Sequence, residues 1–386
     1  MLLNRFRKED LGVCKVSKTF KGYVRDNHSV GTRNYIGVIS TVVCSSVVTR
    51  DIAKTIPEGI PVVHANGCAQ LGDDFKLTKN TLKGVVANPN IYASLLVGLG
   101  CETNQVSILL DETIDSKPKA GFSIQQMAGG TNTLQQGSKI VREWSNSLKE
   151  LQRTEIPISN LKLGILPIDL TVEDYVFASK TILATIQSLV EQKATVVLGM
   201  TDKMERVLEN VQHQANDEVV KQQLLAISSS KTRQTWDKVN PNESNYLKYN
   251  EADLALGKAE LEFIKDVPIQ SIVKYAEIPK SSGLHLALMP NNVIESASNL
   301  VASGCNLIIF LTIRPIFTGT IAVPCMTVGI QQKKDVSMEM IDYVINRDST
   351  PVQLIEEMIE VASGKLTKLE TFKLEEFAIS HIGTTF

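Results

Sequence analysis

Ile60-Pro61-Val62-Val63-His64-Ala65-Asn66-Gly67-Cys68-Ala69-Gln70-Leu71-Gly72-Asp73-Asp74 sets a short apolar run directly against a cluster of chemistry-bearing side chains. A short apolar run bounded by turn residues reads as a buried strand. In open parallel α/β sheets, ligands collect at the carboxyl ends of the strands. Two further segments repeat the arrangement. Tyr35–Val43 is apolar and ends in Cys44-Ser45-Ser46, and Leu95–Gly100 ends in Cys101-Glu102. The three strand ends are therefore expected to bring Cys44, His64, Cys68, Cys101 and Glu102 to one crevice.

Working outward, strand-like and helix-like segments alternate. Strand 35–43 leads to a helix at 46–56 with Ser45 or Ser46 as its N-cap. Strand 60–64 leads to a helix at 73–87, which opens on Asp73 and Asp74 where the helix dipole favours acids. Asn88-Pro89-Asn90 ends that helix, because the residue before a proline avoids the α region. Strand 95–100 precedes a helix at 104–115, and strand 119–125 precedes a helix at 131–152. Residues 156–160 read as a linker. A second series follows: strand 161–166, helix 172–192 and strand 194–200. Residues 203–266 are polar and helical, broken at Asn240-Pro241-Asn242. Strands at 270–277, 284–289, 306–313 and 320–328 then resume, with a helix at 293–303. A final helix starts at Thr350-Pro351, since proline is favoured at a first helical position. Alternation of this kind implies an α/β fold of two domains, 22–155 and 156–386, with mostly parallel sheets flanked by helices. The two domains are expected to meet at a cleft.

Composition bounds the function classes. The chain has 386 residues, 43% hydrophobic and 21% charged, with a net charge of −2. A near-neutral balance argues against nucleic-acid or anionic-membrane binding. The six cysteines, at 14, 44, 68, 101, 305 and 325, contain no CxxC pair. They suit neither a zinc ribbon nor a disulfide framework, so a reducing cytoplasm is the expected location. The N-terminal residues lack the apolar core of a signal peptide, and no apolar run approaches the roughly 20 residues of a membrane helix.

Several residues stand out as candidates. His64 and Cys68 lie four apart, which puts both on one face if the turn is helical. Imidazole with thiolate suits iron, zinc or another borderline metal. The same pair also suits a buried histidine bonded to a carbonyl beside a small core cysteine. Cys44, Cys68 and Cys101 could together hold an iron–sulfur cluster, but no compact cluster spacing is present and none is expected. Arg33, in Gly31-Thr32-Arg33-Asn34, could pair bidentately with a carboxylate or sit in a solvated turn. Thr131, after Gly129-Gly130, could cap a helix and leave N–H groups for an anion or cap it in the ordinary way. No GxGxxG or P-loop occurs.

Taken together, GYVRDNHSVGTRNYIGV from Gly22, HANGCAQLGDD from His64, NPNIYASLLVGLGCE from Asn88, GGT at Gly129 and LQRTEIPISNL from Leu151 resemble the altronate dehydratase/galactarate dehydratase family of sugar-acid lyases. That family also includes sulfolactate sulfo-lyase. The resemblance spans residues 22–165 in order and spacing. It implies an α/β enzyme that eliminates water or sulfite from a hydroxy-acid, such as an aldonate or aldarate, with a divalent metal. Iron is the first expectation, with manganese or zinc as alternatives. Such a reaction needs a base for a weakly acidic proton, a cationic group for the enolate-like charge and an acid for the leaving hydroxyl. By resemblance, His64, Gln70 and Glu102 form the expected catalytic set. Arg33, Asn34, Thr131 and Arg314 would meet substrate, and His64 with Cys68 would hold the metal.

The second half departs from that resemblance. Pro167-Ile168-Asp169-Leu170-Thr171 stands where the family has Cys-Gly-Gly-Ser-Asp. Asn245-Tyr246-Leu247-Lys248-Tyr249-Asn250-Glu251 replaces a Pro-Gly-Asn-Lys-Ala-Gly-Gly segment. Thr312-Ile313-Arg314-Pro315-Ile316 replaces Thr-Gly-Arg-Gly-Ser. Bulky apolar residues thus stand in place of turns whose N–H groups bind anions. Ile168, Ile313 and Ile316 also suit a less polar substrate. Family members carry a small β-rich domain ahead of Gly22, a separate subunit in some, and only about 20 residues precede Gly22 here. Three expectations follow: a lyase that partners a small β-rich subunit, a homo-oligomer, and as the rival reading a catalytically lapsed homologue that binds a hydroxy-acid or a partner protein.

Overall fold

The computed structural model describes residues 18–68, 70–113, 116–230, 250–331 and 339–381. Cys14, the break at 240–242 and the window 245–249 lie outside the described residues.

The described residues open with β1 (Thr19–Val24) and β2 (Val30–Gly31), then build a first sheet from β3 (Tyr35–Ser40), β4 (Gly59–Val62), β5 (Ile91–Gly98) and β6 (Lys119–Ser123). Their order is β4-β3-β5-β6, and every pairing is parallel. Helices α1 (Ser46–Ala53), α2 (Gly72–Ala87), α3 (Val106–Glu112) and α4 (Gly130–Leu148) make the crossovers. Alternate residues serve opposite faces. Ile36 and Val38 pack with Ile52 of α1 and Val141 of α4, while Ile39 turns to Leu82 and Val85 of α2. A sheet buried on both faces needs the near-continuous apolar strands seen here.

After β7 (Thr154–Pro157), a second sheet is built on β8 (Lys162–Ile168). Helices α5 (Val172–Glu191), α6 (Asp202–Glu205), α7 (Glu218–Ser229) and α8 (Glu251–Leu261) accompany β9 (Thr195–Met200) and β10 (Ile269–Val273). β11 (Gly283–Leu288), α9 (Val293–Ala302), β12 (Leu307–Thr312), β13 (Gly319–Thr320), β14 (Cys325–Ile330) and β15 (Tyr343–Ile345) continue the series. The seven-stranded order is β10-β11-β9-β8-β12-β14-β15, again parallel throughout. The chain ends with α10 (Pro351–Ala362), α11 (Lys368–Phe372) and β16 (Glu375–Glu376), which pairs with β13. The expected α/β class with parallel sheets flanked by helices is what is found.

Three expectations need correction. The strand expected at 320–328 is two: β13 covers Gly319–Thr320 and β14 begins at Cys325 after a turn. The segment read as a linker begins as a strand: β7 pairs antiparallel with β1 through Phe20 and Ile156, both buried in the core of the second sheet. Ser45 occupies the N-cap of α1 but does not cap it. Its hydroxyl is committed to Val42 and Val97 carbonyls.

The two sheets share a core made where α2 lies on α9. Leu82 and Val85 meet Leu300 and Val301 there, and a Cβ on Gly84 would come within 2.2 Å of the Ala302 carbonyl oxygen. Asn88 at the end of α2 donates to the Val301 and Cys305 carbonyls at the end of α9. At the opposite ends, Asn66 donates to the Ile379 carbonyl and Ser380 bonds Glu295 in the first turn of α9. The two helices therefore run the same way, and the carboxyl edges of both sheets open on one side.

A buried ion pair fastens α10 and α11 to the turn just before β3. Arg33 Nε and Nη2 meet the Glu370 carboxylate at 2.6 and 2.8 Å. Its remaining three N–H groups reach the carbonyls of Thr32, Val361 and Lys365. All five donors are used. Breaking a buried pair strands a charge, at a cost of about 3–5 kcal/mol, whereas replacing both partners by apolar groups can be neutral. Glu370→Ala should therefore destabilise the protein by that order in urea denaturation, and the pair Arg33→Met with Glu370→Leu by much less. Equal losses would contradict this account of the pair.

Candidate functional site

The loops that follow β3, β4 and β5 do meet. Val43 N–H bonds the Asn66 carbonyl, and Thr41 N–H bonds Val97. Gly67, at φ 107, lies so close to the Thr41 carbonyl that a Cβ would fall at 2.6 Å. Cys44, Cys68 and Cys101 are exposed free thiols on these loops.

His64 is buried beside them. Its Nδ1 accepts the Asn66 N–H at 3.1 Å, so the ring proton is on Nε2, which donates to the Ser40 carbonyl at 2.9 Å. Burial strips water from the charged form and pushes the imidazole pKa down to about 4. His64 is thus neutral with both nitrogens engaged. Among the described residues, no three of His, Cys, Asp and Glu come together to hold a metal. The pair His64 and Cys68 does not make a ligand set.

The other expected residues are committed elsewhere. Glu102, only 2% exposed, accepts from the Thr41 hydroxyl and from the Leu99 and Gly100 N–H groups, which folds the turn after β5. Arg33 has no donor left for a substrate carboxylate, because Glu370 and three carbonyls take all five. Asn34 accepts from Arg25 at 2.7 Å. Thr131 does not cap its helix. Gly129 holds that position at φ 124, and Thr131 is exposed in the first turn. Gln70 is half-buried, and its carbonyl oxygen has no partner among the described residues. Arg314 lies on the other sheet, exposed and paired with Asp169 at 2.8 Å.

His64 does line a groove of about 920 Å³ between edge strand β4 and residues 366–377. Tyr35, Glu370, Glu375 and Glu376 share it. Glu375 is half-buried, and its pKa is raised to about 7 by burial first, then by the charge of Glu370, against the pull of Arg33. The Tyr35 hydroxyl reaches Glu370 at 3.4 Å, and burial holds it protonated well above the usual phenol range. A carboxyl that titrates near neutrality is what proton transfer at physiological pH requires. Sequence reasoning missed Glu375. It belongs to Lys373-Leu374-Glu375-Glu376-Phe377, an ordinary charged stretch 311 positions beyond His64, and only the fold brings it to the groove.

A second concavity, about 320 Å³, lies at the carboxyl ends of β8, β9 and β11, beside the β8–β12 junction where the winding of the sheet reverses. Pro167, Ile168, Asp169, Thr201 and Lys203 line it. Behind Thr201 sits Glu260, fully buried, raised to about 7 by burial and accepting from the Thr201 hydroxyl and N–H. The two described windows that depart from the family pattern, 167–171 and 312–316, fall at this edge. Ile168 lines the cavity and packs against the same core as Ile316, and Ile313 packs against the core of the second sheet.

Comparison with known proteins places this geometry in context. Residues 22–149 match D-galactarate dehydratase/altronate hydrolase, second domain. Residues 176–385 match D-galactarate/altronate dehydratase, C-terminal. Altronate dehydratase of Bacillus subtilis is 28% identical, covering 96% of this chain and 79% of its own. Altronate dehydratase of Escherichia coli is 27% identical, covering 98% and 80%. The (2R)-sulfolactate sulfo-lyase subunit beta of Chromohalobacter salexigens is 26% identical, covering 95% and 98%.

A histidine buried neutral makes stability depend on pH. Because the folded pKa of about 4 lies below the ordinary 6.5, the unfolded chain binds the proton more readily between those values. The stabilisation is complete above pH 6.5 and is lost as pH falls toward 4, by roughly 3 kcal/mol from this residue. His64→Gln should flatten the stability–pH curve over that window in chemical denaturation. An unchanged slope would mean that His64 is solvated.

Proposed function

Since this chain belongs to the D-galactarate dehydratase/altronate hydrolase family, we propose that it is a carbon–oxygen lyase eliminating water, or a comparable leaving group, from a hydroxy-acid held in the His64–Glu375 groove. The observation that carries this reading is Glu375, an acid titrating near pH 7 on the wall of a groove of about 920 Å³. Elimination needs one proton removed beside a carboxylate and one delivered to the departing hydroxyl. Glu375 can hold or accept a proton near neutrality. Tyr35 keeps its own, so it acts as a hydrogen-bond donor. His64, bonded on both nitrogens, shapes the groove wall and transfers no proton. The family resemblance also implies a divalent metal. The described residues offer it no ligand set, and no step here passes through one.

The sulfo-lyase relative named as a subunit is covered over 98% of its length, which supports a partner subunit for this chain, a small β-rich one. No helix among the described residues is long and apolar enough to cross a membrane, in keeping with the cytoplasmic setting proposed here.

One observation favours a second reading, a lapsed homologue that binds a hydroxy-acid without turning it over. At the carboxyl edge of the second sheet, apolar residues fill windows 167–171 and 312–316, and Arg314 is taken up by Asp169.

Assays of aldonates and aldarates, with and without a small β-rich partner, separate the two. A working lyase should lose about 10²–10⁴-fold of its rate in Glu375→Gln, together with the inflection near pH 7 that the native rate shows. A Glu375→Gln rate equal to the native one would refute the assignment of Glu375. Binding without turnover in the native protein would establish the lapsed reading.

A further inference from the structure

The groove has a feature that acid–base chemistry does not use. Ser46 opens α1 and lines the groove, is only 7% exposed, and its hydroxyl has no partner among the described residues. A buried hydroxyl without a partner costs stability unless something satisfies it. Arg50 lines the same groove four residues further on, which puts it on the same helix face as Ser46. Lys373 lines the opposite wall, at φ 55 just past α11. Arg50 and Lys373 are exposed, and neither is paired with a carboxylate among the described residues. α1 runs on from a 3-10 turn at Val43–Ser45, and the Ser46 N–H bonds the Val43 carbonyl, so this end of the helix offers the groove the Ser46 hydroxyl. The remaining charged or titratable groups in the groove are neutral His64, Tyr35, Glu370 held by Arg33, Glu375 and the exposed Glu376.

We propose that Ser46 and Arg50 on α1, with Lys373 across the groove, form the anchor for a carboxylate of the hydroxy-acid. The identity of the ligand rests on the lyase reading, while the anchor is a property of the groove. Arg50 supplies a planar fork that matches a carboxylate bidentately. Lys373 closes from the other side as a mobile point charge. The Ser46 hydroxyl completes the contact. The anchor is separate from Glu375, so binding and turnover should respond to different substitutions. It also discriminates by charge: a polyol of the same length with no carboxylate gives Arg50 and Lys373 nothing to pair with.

Calorimetric titration with D-galactarate and with uncharged galactitol tests this on the full chain at physiological salt. The native protein should bind galactarate, and galactitol at least tenfold more weakly. Arg50→Ala and Lys373→Gln should each weaken galactarate binding by tenfold or more, and Ser46→Ala by several-fold. Both cations are exposed, so these variants should fold as the native chain does. Glu375→Gln should keep galactarate affinity within about threefold while losing turnover. Native-like affinity in Arg50→Ala and Lys373→Gln would overturn the anchor and leave the lyase reading standing. Absence of galactarate binding by the native protein would overturn the anchor as drawn, whereas the lyase reading is decided separately by turnover across the other hydroxy-acids.

Discussion

The buried pair of Arg33 and Glu370 is the constraint on which the rest of the arrangement depends. Arg33 stands just before β3, and Glu370 sits in a short helix 337 positions later. A guanidinium taken out of water must use its donors, and this one uses all five on Glu370 and three carbonyls. The result is a C-terminal segment held at a fixed place against edge strand β4. Without that placement there is no groove, because one of its two walls is the segment itself.

The same pair tunes the chemistry of the groove. Burial, and then the charge of Glu370, raise Glu375 to about 7. Tyr35 is raised by burial and by the same carboxylate. Glu370 serves as the partner of Arg33 and Glu375 as the proton carrier beside it. A carboxyl raised toward neutrality is how a fold runs proton chemistry at physiological pH. The elements that fix position and the elements that move protons share one network, so structural damage to the pair should reach the chemistry as well.

Much of the fold was legible from residues alone. The apolar runs at 35–43, 60–64 and 95–100 each hold a parallel strand, because strands buried on both faces need uninterrupted apolar sequence. Their ends are shifted: β3 stops at Ser40, β4 at Val62, and β5 starts at Ile91 and stops at Gly98. The Asp73-Asp74 start of α2 and the Thr350-Pro351 start of α10 carry local signals that the structure keeps. The site was less legible. His64 was visible as a chemically suggestive residue, but one of its two hydrogen bonds runs to the Ser40 carbonyl at the end of β3, which only the fold brings to it; the other comes from Asn66 in its own loop. Arg33 read as a substrate-binding or solvated turn arginine because its true partner is remote in sequence. Glu375 carried no local mark, since its raised pKa comes from burial and from a neighbour that only the fold supplies. Long-range electrostatics leave no periodicity in a sequence, whereas packing does.

The most direct test is a site-resolved carbon-13 titration of the Glu375 carboxyl in the full-length protein, followed by the same titration in Glu370→Gln. The account predicts a midpoint of about 7 in the native protein and a clear fall when the neighbouring charge is removed. A native midpoint near the ordinary glutamate value of about 4.3 would mean that the groove is solvated and holds no poised acid, and the proposed proton carrier would have to be abandoned.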